Sequence, residues 1–329
     1  MKKSLLVLAT LGSLAGGASA QSAITIYGIL DAGLVSERGN AAGTVTKLTS
    51  GVQSGTRLGF RGTEDLGGGN SARFTLESGF GMDNGFSNQD SRLFGRQAWV
   101  GVGGNWGAVA LGRQYSPHYL ALMENDPFKV GLAGNAQNLI YSPTRIDNAL
   151  TYKSPQWSGA TAELIYGLGE VTGNPSGGKQ FGGSVGYNNG PLNVKLGYHS
   201  ANDPTGNDSD KDTLLIGTWN FGPVTANLGM TQRKGLLSLD ERDYLIGFLA
   251  PFGPSTIIGS YIRKDDRTAI NRDARQWALG YTYNLSERTN LYTSYGRITN
   301  NNGASYTVGS AIEKGSGDQA FNIGIRHKF

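Results

Sequence analysis

Cysteine is absent from this chain of 329 residues, so neither a disulfide framework nor a thiolate metal site is available to it. Histidine is scarce: His118, His199 and His327 sit on separate stretches, which argues against a histidine metal centre. Beyond residue 20 no window carries eighteen consecutive apolar residues, and this excludes a membrane-spanning helix. Net charge is small as well. The opening stretch MKKSLLVLATLGSLAGGASA has the make-up of a secretory signal peptide: Lys2 and Lys3, an apolar run around Leu5–Leu14, and Ala18-Ser19-Ala20 before an expected cleavage at Gln21. Removal of residues 1–20 lowers the formal charge from +4 to +2, leaving the mature chain 21–329 without the basic surplus of a nucleic-acid binder. An exported chain without disulfides must be held together by other means.

Glycine (51 copies) and tyrosine (15 copies) are abundant, and a period of two recurs throughout. AITIYGILDAGLV alternates through Ile24, Ile26, Leu30 and Leu34. RLGFRGTED sets Leu58 and Phe60 against Arg57, Gly59 and Arg61; ARFTLESGF sets Phe74, Leu76 and Phe80 against Arg73, Thr75 and Glu77. NVKLGYHS sets Val194, Leu196 and Tyr198 against Asn193, Lys195 and His199. Strands of this kind stand with one face in an apolar medium and the other in water.

Seven tight turns punctuate these strands, at 65–70, 103–107, 154–159, 188–191, 220–223, 251–255 and 284–289. Eight longer polar stretches alternate with them, near 36–54, 81–91, 114–146, 169–179, 200–211, 234–241, 264–273 and 299–317. Fifteen connections join sixteen strands. The expectation is an all-β fold: a sixteen-stranded antiparallel transmembrane barrel, short turns at one end and long loops at the other. Closure satisfies every backbone group in hydrocarbon and leaves no edge. The last nine residues, FNIGIRHKF, fit this plan, with Phe321, Ile323, Ile325 and Phe329 on the apolar parity and Arg326 and Lys328 on the wet one. Paired with the first strand, they form the seam.

Parity assigns the charges. With Leu58 and Phe60 outward, Arg57 and Arg61 point into the lumen, and Arg73 and Glu77 follow on the next strand. Leu150 and Tyr152 outward place Asp147, Thr151 and Lys153 inward, with Arg145 just above. Arg96 shares parity with Val100 and Val102, and Arg113 with Val109 and Leu111, so each needs a bulge or a place beyond the membrane rim to turn inward. The third long gap, 114–146, is the longest, and with Leu122, Met123, Phe128, Leu132 and Ile140 it is too apolar for a free surface loop.

The segments AITIYGILDAG, SGTRLGFRGTEDLGGG, GRQAWVGVGGNWGAVALGRQY and the terminal GIRHKF resemble the general porins of Gram-negative bacteria. That resemblance implies a homotrimer of barrels, the third loop folded into each pore, and passive diffusion of small hydrophilic solutes. The arginines that line the narrowest part of such pores match Arg57, Arg96 and Arg145, opposite acids on the third loop that match Glu124 and Asp126. The partners implied are outer-membrane lipid and lipopolysaccharide, small anionic or neutral solutes, and the barrel-assembly machinery, for which the terminal Phe329 resembles the recognition signal. The lumen parity collects more cations than acids, so a modest anion preference is expected. An outer-membrane barrel enzyme or an adhesin would need a catalytic constellation at a rim or an added domain, and the sequence offers neither. No cofactor is expected; Asp203, Asp208, Asp210 and Asp212 in NDPTGNDSDKD form a weak candidate for calcium, without the Gly and Glu positions of a calcium loop.

Overall fold

The computed structural model describes residues 23–329, so the expected signal peptide lies outside the described residues. The chain runs β1 (Ala23–Asn40), β2 (Gly43–Ser50), β3 (Arg57–Gly67), β4 (Asn70–Gly79), β5 (Gln97–Gly104), β6 (Gly107–Tyr115), a helix α1 (Pro117–Asn125), β7 (Arg145–Lys153), β8 (Ala160–Gly167) and β9 (Gln180–Asn189). It continues through β10 (Leu192–Asn202), β11 (Ser209–Asn220), β12 (Thr225–Gly235), β13 (Leu239–Phe252), β14 (Ser255–Asp266), β15 (Ala274–Asn284), β16 (Thr289–Asn300) and β17 (Gln319–Lys328). From β3 onward each strand pairs antiparallel with the next. β17 then pairs with β1, from Ile29↔Lys328 to Arg38↔Gln319, and closes the cylinder.

Seventeen strand segments make sixteen staves. On one side β1 serves two partners: Ala23–Ile29 pair with β3, and residues from Ala32 to Asn40 pair with β2. β2 and β3 are therefore two parts of one stave, interrupted at 51–56. The stretch 36–54, expected as loop, is for the most part this hairpin. Its return arm, GTVTKLTS, hides among polar residues, yet threonine is a β-former and Leu48 lies opposite Leu34 on the outer face. The connection near 234–241 is also shorter than expected. A single 3₁₀ turn, Leu236–Ser238, joins β12 to β13, and the cross-strand ion pairs Arg233–Glu241 (3.7 Å) and Lys234–Asp240 (3.8 Å) accompany the ladder further out.

The outer face is a band of exposed apolar side chains, among them Ile24, Ile26, Leu34, Val100, Leu111, Leu228, Ile246, Leu279 and Ile323. Phe329 ends the chain on this face, 45% exposed, with its ring over Gly28, where any Cβ would fall 2.4 Å from the phenyl. Its backbone exchanges both hydrogen bonds with Gly28 (3.0 and 3.1 Å). The seam is thus zipped to the last residue.

The third loop enters the barrel. Ser116 caps α1 by accepting from the Tyr119 amide (3.0 Å), Pro117 occupies the first turn, and Asp126 ends the helix with its amide on the Leu122 carbonyl. Leu122, Phe128, Val130, Leu132, Leu139 and Ile140 are buried against inward-facing Leu214, Ile216, Leu245, Ile262 and Ile298. This is the apolar core of the molecule, and it sits inside the cylinder against one wall. The wall makes room for it with glycine: a Cβ at Gly247 would meet Pro127 at 2.3 Å, and one at Gly280 would meet Phe128 at 2.8 Å. Polar ties hold the same course. The Ala133 amide donates to Ser294 Oγ (3.0 Å), Asn138 Nδ2 to Gln276 Oε1 (2.9 Å), and the Leu132 amide to the Val52 carbonyl (2.8 Å). At the root of the loop, His118 bridges Ser142 (2.8 Å) and Asp212 (3.3 Å), all three buried.

Candidate functional site

With the third loop laid along one wall, the remaining lumen narrows to a cavity of about 850 Å³. Arg57 at the start of β3, Arg96 in the bend before β5 and Arg145 at the start of β7 all line it. Arg96 escapes the parity of Val100 because it precedes the first ladder pair of its strand. Its amide donates to the Glu77 carbonyl (3.1 Å) and the side chain turns inward. Its Nε donates to Glu77 Oε1 (2.8 Å) and its Nη2 to the Tyr115 hydroxyl (2.6 Å). Arg145 donates to the same hydroxyl (2.9 Å) and to the Arg96 carbonyl (2.8 Å), with its guanidinium 4.6 Å from the Tyr115 ring centre. Tyr115 in turn stacks on Tyr119 of α1, 5.5 Å between centres. Arg57 is held least: its Nε donates to the Gly55 carbonyl (2.9 Å), and its Nη1 stands 3.8 Å from Glu77 Oε2. Three guanidiniums therefore share one carboxylate and one phenol. A phenolic oxygen has two lone pairs and serves two donors, but it neutralises neither.

The acids expected across from them lie elsewhere. Asp126 is fully buried (0% exposed) beneath the loop, where Oδ2 accepts the Val130 amide (2.8 Å) and burial pushes its carboxyl up to about 6. Glu124 is exposed but turns aside and binds Lys195 of β10. What the third loop brings to the cavity is Lys129, whose ammonium rests on the Glu124 carbonyl and whose pKa burial lowers. Lys129, Val130 and Leu132 all sit at positive φ (53–55°), a strained backbone held only because the surrounding contacts fix it.

Arg61 and Arg73 keep the lumen parity but stand away from the narrowing. Arg61 lies over Tyr27 (5.3 Å), four residues along β3 from Arg57, about 13 Å at strand rise. Arg73 is exposed near the short-turn end, where its Nε donates to Ser71. Asp147, expected inward, is outside. Asn148 adopts φ 51°, which breaks the alternation, so Ile146 turns in against Ile165 while Asp147 pairs with Arg92 and Arg113. Neither Arg113 nor Asp147 lines the cavity. The four loop aspartates do not converge either. Asp210 is gripped by Arg233, Asp212 stands beside His118, and Asp203 accepts from Thr205 and the Asn207 amide of its own turn.

Sequence reasoning missed the wall opposite the arginines. There Lys264 bridges Glu241 (3.0 Å) and Asp243 (3.1 Å), and Arg233 lies 3.6 Å over the Tyr141 ring. Parity gave the signal, since Lys264 alternates with outward Tyr261 and Arg263. It also missed the last long loop, which bends over the pore and lines it with Tyr306, Ser310, Ile312 and Glu313. Seven cations line the cavity (Arg57, Arg96, Lys129, Arg145, Arg233, Lys264, Lys314) against two carboxylates, Glu241 and Glu313. Adding their buried partners Glu77, Asp210 and Asp243 still leaves the cations two ahead.

A family model of Gram-negative porins matches residues 4–303. The chain is 32% identical to an outer membrane porin protein of Bordetella pertussis, and 32% identical to outer membrane porin protein 32 of Delftia acidovorans, in each case over the full length of both chains. Among solved structures it is similar to an anion-selective porin from Comamonas acidovorans, at 30% identity and a TM-score of 0.79, covering 94% of this chain and all of that one. OmpF of Salmonella typhi, at 15% identity and a TM-score of 0.72 over 93% and 97% of the two chains, shares the fold. By closed barrel, inward third loop and whole-length similarity, this chain belongs to the Gram-negative porin family.

Proposed function

We propose that this outer-membrane channel passes small hydrophilic solutes by passive diffusion with a modest preference for anions, and that Arg57, Arg96 and Arg145 set that preference. The observation that carries the reading is the ratio at the narrowing: three guanidiniums to one carboxylate, with Lys129 rather than an open acid on the third loop. A similar solved structure is described as an anion-selective porin. Buried in a wet lumen, such charges hold anions near the path and raise the barrier to cations. The channel has no catalytic task, and its solutes are small anionic or neutral molecules. Reversal potential across a potassium chloride gradient tests the reading. Anion preference in the wild type that falls in Arg57→Ser and Arg145→Ser supports it, and cation preference in the wild type overturns it.

The same reading includes assembly. The protein forms a homotrimer through the outer faces of its first strands and its last, Phe329 serves as the signal read by the barrel-assembly machinery, and residues 1–20 direct export and are removed. A high-mass band on a gel that collapses to monomer on heating supports the trimer, and a monomeric native mass in detergent removes it.

A further inference from the structure

The break at 51–56 sits against two residues of β1, Leu30 and Asp31. The ladder pairs Ala32 with Ser50 on one side of the break and Ile29 with Arg57 on the other. Between those pairs the chain folds inward, so that Gln53, Ser54 and Gly55 line the cavity. Asp31 is fully buried (0% exposed), and it fastens the break from end to end. Its carbonyl accepts the Gly51 amide (2.8 Å) and the Thr56 hydroxyl (3.1 Å). Its Oδ2 accepts the amides of Gln53 (3.0 Å) and Ser54 (2.6 Å), and its Oδ1 accepts the Tyr292 hydroxyl (2.7 Å). The cation opposite it in the ladder, Arg326, donates instead to Asn290 Oδ1 (3.0 Å) and Ser54 Oγ (2.8 Å). Burying a carboxylate is costly, and an apolar side chain would seal this seam more stably. What the carboxylate adds is a seat for two backbone amides, and the break seated there meets every part of the narrowing. The Val52 carbonyl accepts the Leu132 amide of the third loop (2.8 Å) and the Ala311 amide of the last long loop (3.3 Å). The Gly55 carbonyl accepts from Arg57 Nε (2.9 Å). The packing is tight: a Cβ at Gly131 would fall 2.1 Å from the Gln53 carbonyl oxygen, and one at Gly55 would fall 2.7 Å from Arg96 Nη1.

We propose that Asp31 is the positioning residue of the narrowing. Through the amides of Gln53 and Ser54 it holds the break folded inward, and the break in turn seats Arg57, backs Arg96 and joins the third loop to the last one. Asp31 touches no passing ion and acts through the backbone it holds. The carboxylate therefore works against its own sign: as a charge it would attract cations, but as an acceptor it keeps the guanidiniums in the path of anions. The inference rests on the reading of Arg57, Arg96 and Arg145 as the groups that set ion preference.

The test sets Asp31→Ala beside Asp31→Asn in planar bilayers under a potassium chloride gradient. Asn keeps an oxygen for the two amides and carries no charge; Ala keeps neither. Asp31→Ala should lower the anion-to-cation permeability ratio by about twofold, the scale of one guanidinium moved off the path. It should also add brief closures to the open-channel current, as the loops lose their common anchor. Asp31→Asn should match the wild type in both readings. Loss of charge alone would raise the ratio in both variants. A merely structural role would lower the temperature of heat-modified gel migration and leave the ratio unmoved. Either result, or an equal fall in the two variants, overturns the proposal. If Asp31→Ala fails to assemble, Thr56→Val supplies the measurement, since it removes the hydroxyl that bonds the Asp31 backbone and keeps the carboxylate. It should move the ratio and the closures in the same direction, and no change there counts against the assignment equally. A wild type that prefers cations removes the selectivity reading, and the closures then decide: present in Asp31→Ala and absent in Asp31→Asn they support the positioning role, and alike in the two they defeat it.

Discussion

Arg57→Ser is the cleanest probe of the narrowing. Removing Arg96 would strip buried Glu77 of its nearest cation and the Tyr115 hydroxyl of one of its two donors, and Arg145 carries the Tyr115 ring. Arg57 is anchored by one bond to a carbonyl and stands 3.8 Å from Glu77, so its loss subtracts a charge and little else. For an ion passing about 7 Å from the guanidinium in water, the Coulomb energy is about 0.6 kcal/mol, and screening at a Debye length of about 8 Å reduces it to about 0.25 kcal/mol. That energy favours an anion and disfavours a cation by the same amount, so one charge changes the anion-to-cation permeability ratio by about twofold. The two uncompensated charges at the narrowing together give about fivefold, a modest selectivity of the kind proposed. The assay is reversal potential in planar bilayers at physiological ionic strength, repeated near 1 M, where the Debye length falls to about 3 Å and the difference between variant and wild type should almost vanish. An unchanged ratio in Arg57→Ser at low salt, or a difference that survives 1 M salt, refutes the electrostatic account.

Deleting Phe329 removes two ladder bonds to Gly28 and the ring above it, and should sharply lower the amount of protein in the outer membrane; wild-type levels by heat-modified gel migration would defeat this. Gly247→Val drives a side chain into Pro127 and should push the third loop off its wall at a cost of about 1–3 kcal/mol, lowering single-channel conductance; the same conductance would show that the wall glycine is not needed. Asp126 supplies the pH dependence. Its folded pKa lies above the ordinary 3.8, at about 6, so the docked loop prefers the neutral acid; that preference is fully present below about 4 and is lost as pH rises through 6, up to about 3 kcal/mol. Asp126→Asn should therefore gain thermal stability over the wild type at pH 7.5 and lose that advantage at pH 4, as measured by circular dichroism melts.

The barrel was legible because its strands obey one rule, and the departures from the plan come where that rule lapses. β17 alternates without a break from Phe321 to Phe329, and its pairing with β1 follows. β2 reads as loop because its outward positions are Thr44, Thr46 and Leu48 rather than a run of Leu and Ile, so that Leu48 alone marks its apolar face. At β7 a single residue at positive φ, Asn148, shifts the phase, so that Ile146 enters the lumen and Asp147 leaves, while Arg145 at the strand's first position still reaches the cavity. Period-two reasoning has no memory of a bulge, because the extra residue costs one position and inverts all those beyond it.

The site shows the complementary limit. Arg57 was readable since it begins a regular strand, and Lys264 was equally readable by the same parity. Parity does not give Arg96 or the third loop, which the resemblance supplies, because their directions are decided by contacts distant in sequence: Glu77 and Tyr115 for Arg96, and Val52, Gln276 and Ser294 for the loop. Asp126 and Glu124, two residues apart at the end of α1, look equivalent in sequence. One is carried under the loop to receive the Val130 amide and the other swings to Lys195, so neither faces the arginines. The third loop therefore carries both acids away from the arginines and presents Lys129 to the cavity. That reversal is why the narrowing keeps an excess of positive charge, and it can be seen only after the loop has been folded against its wall.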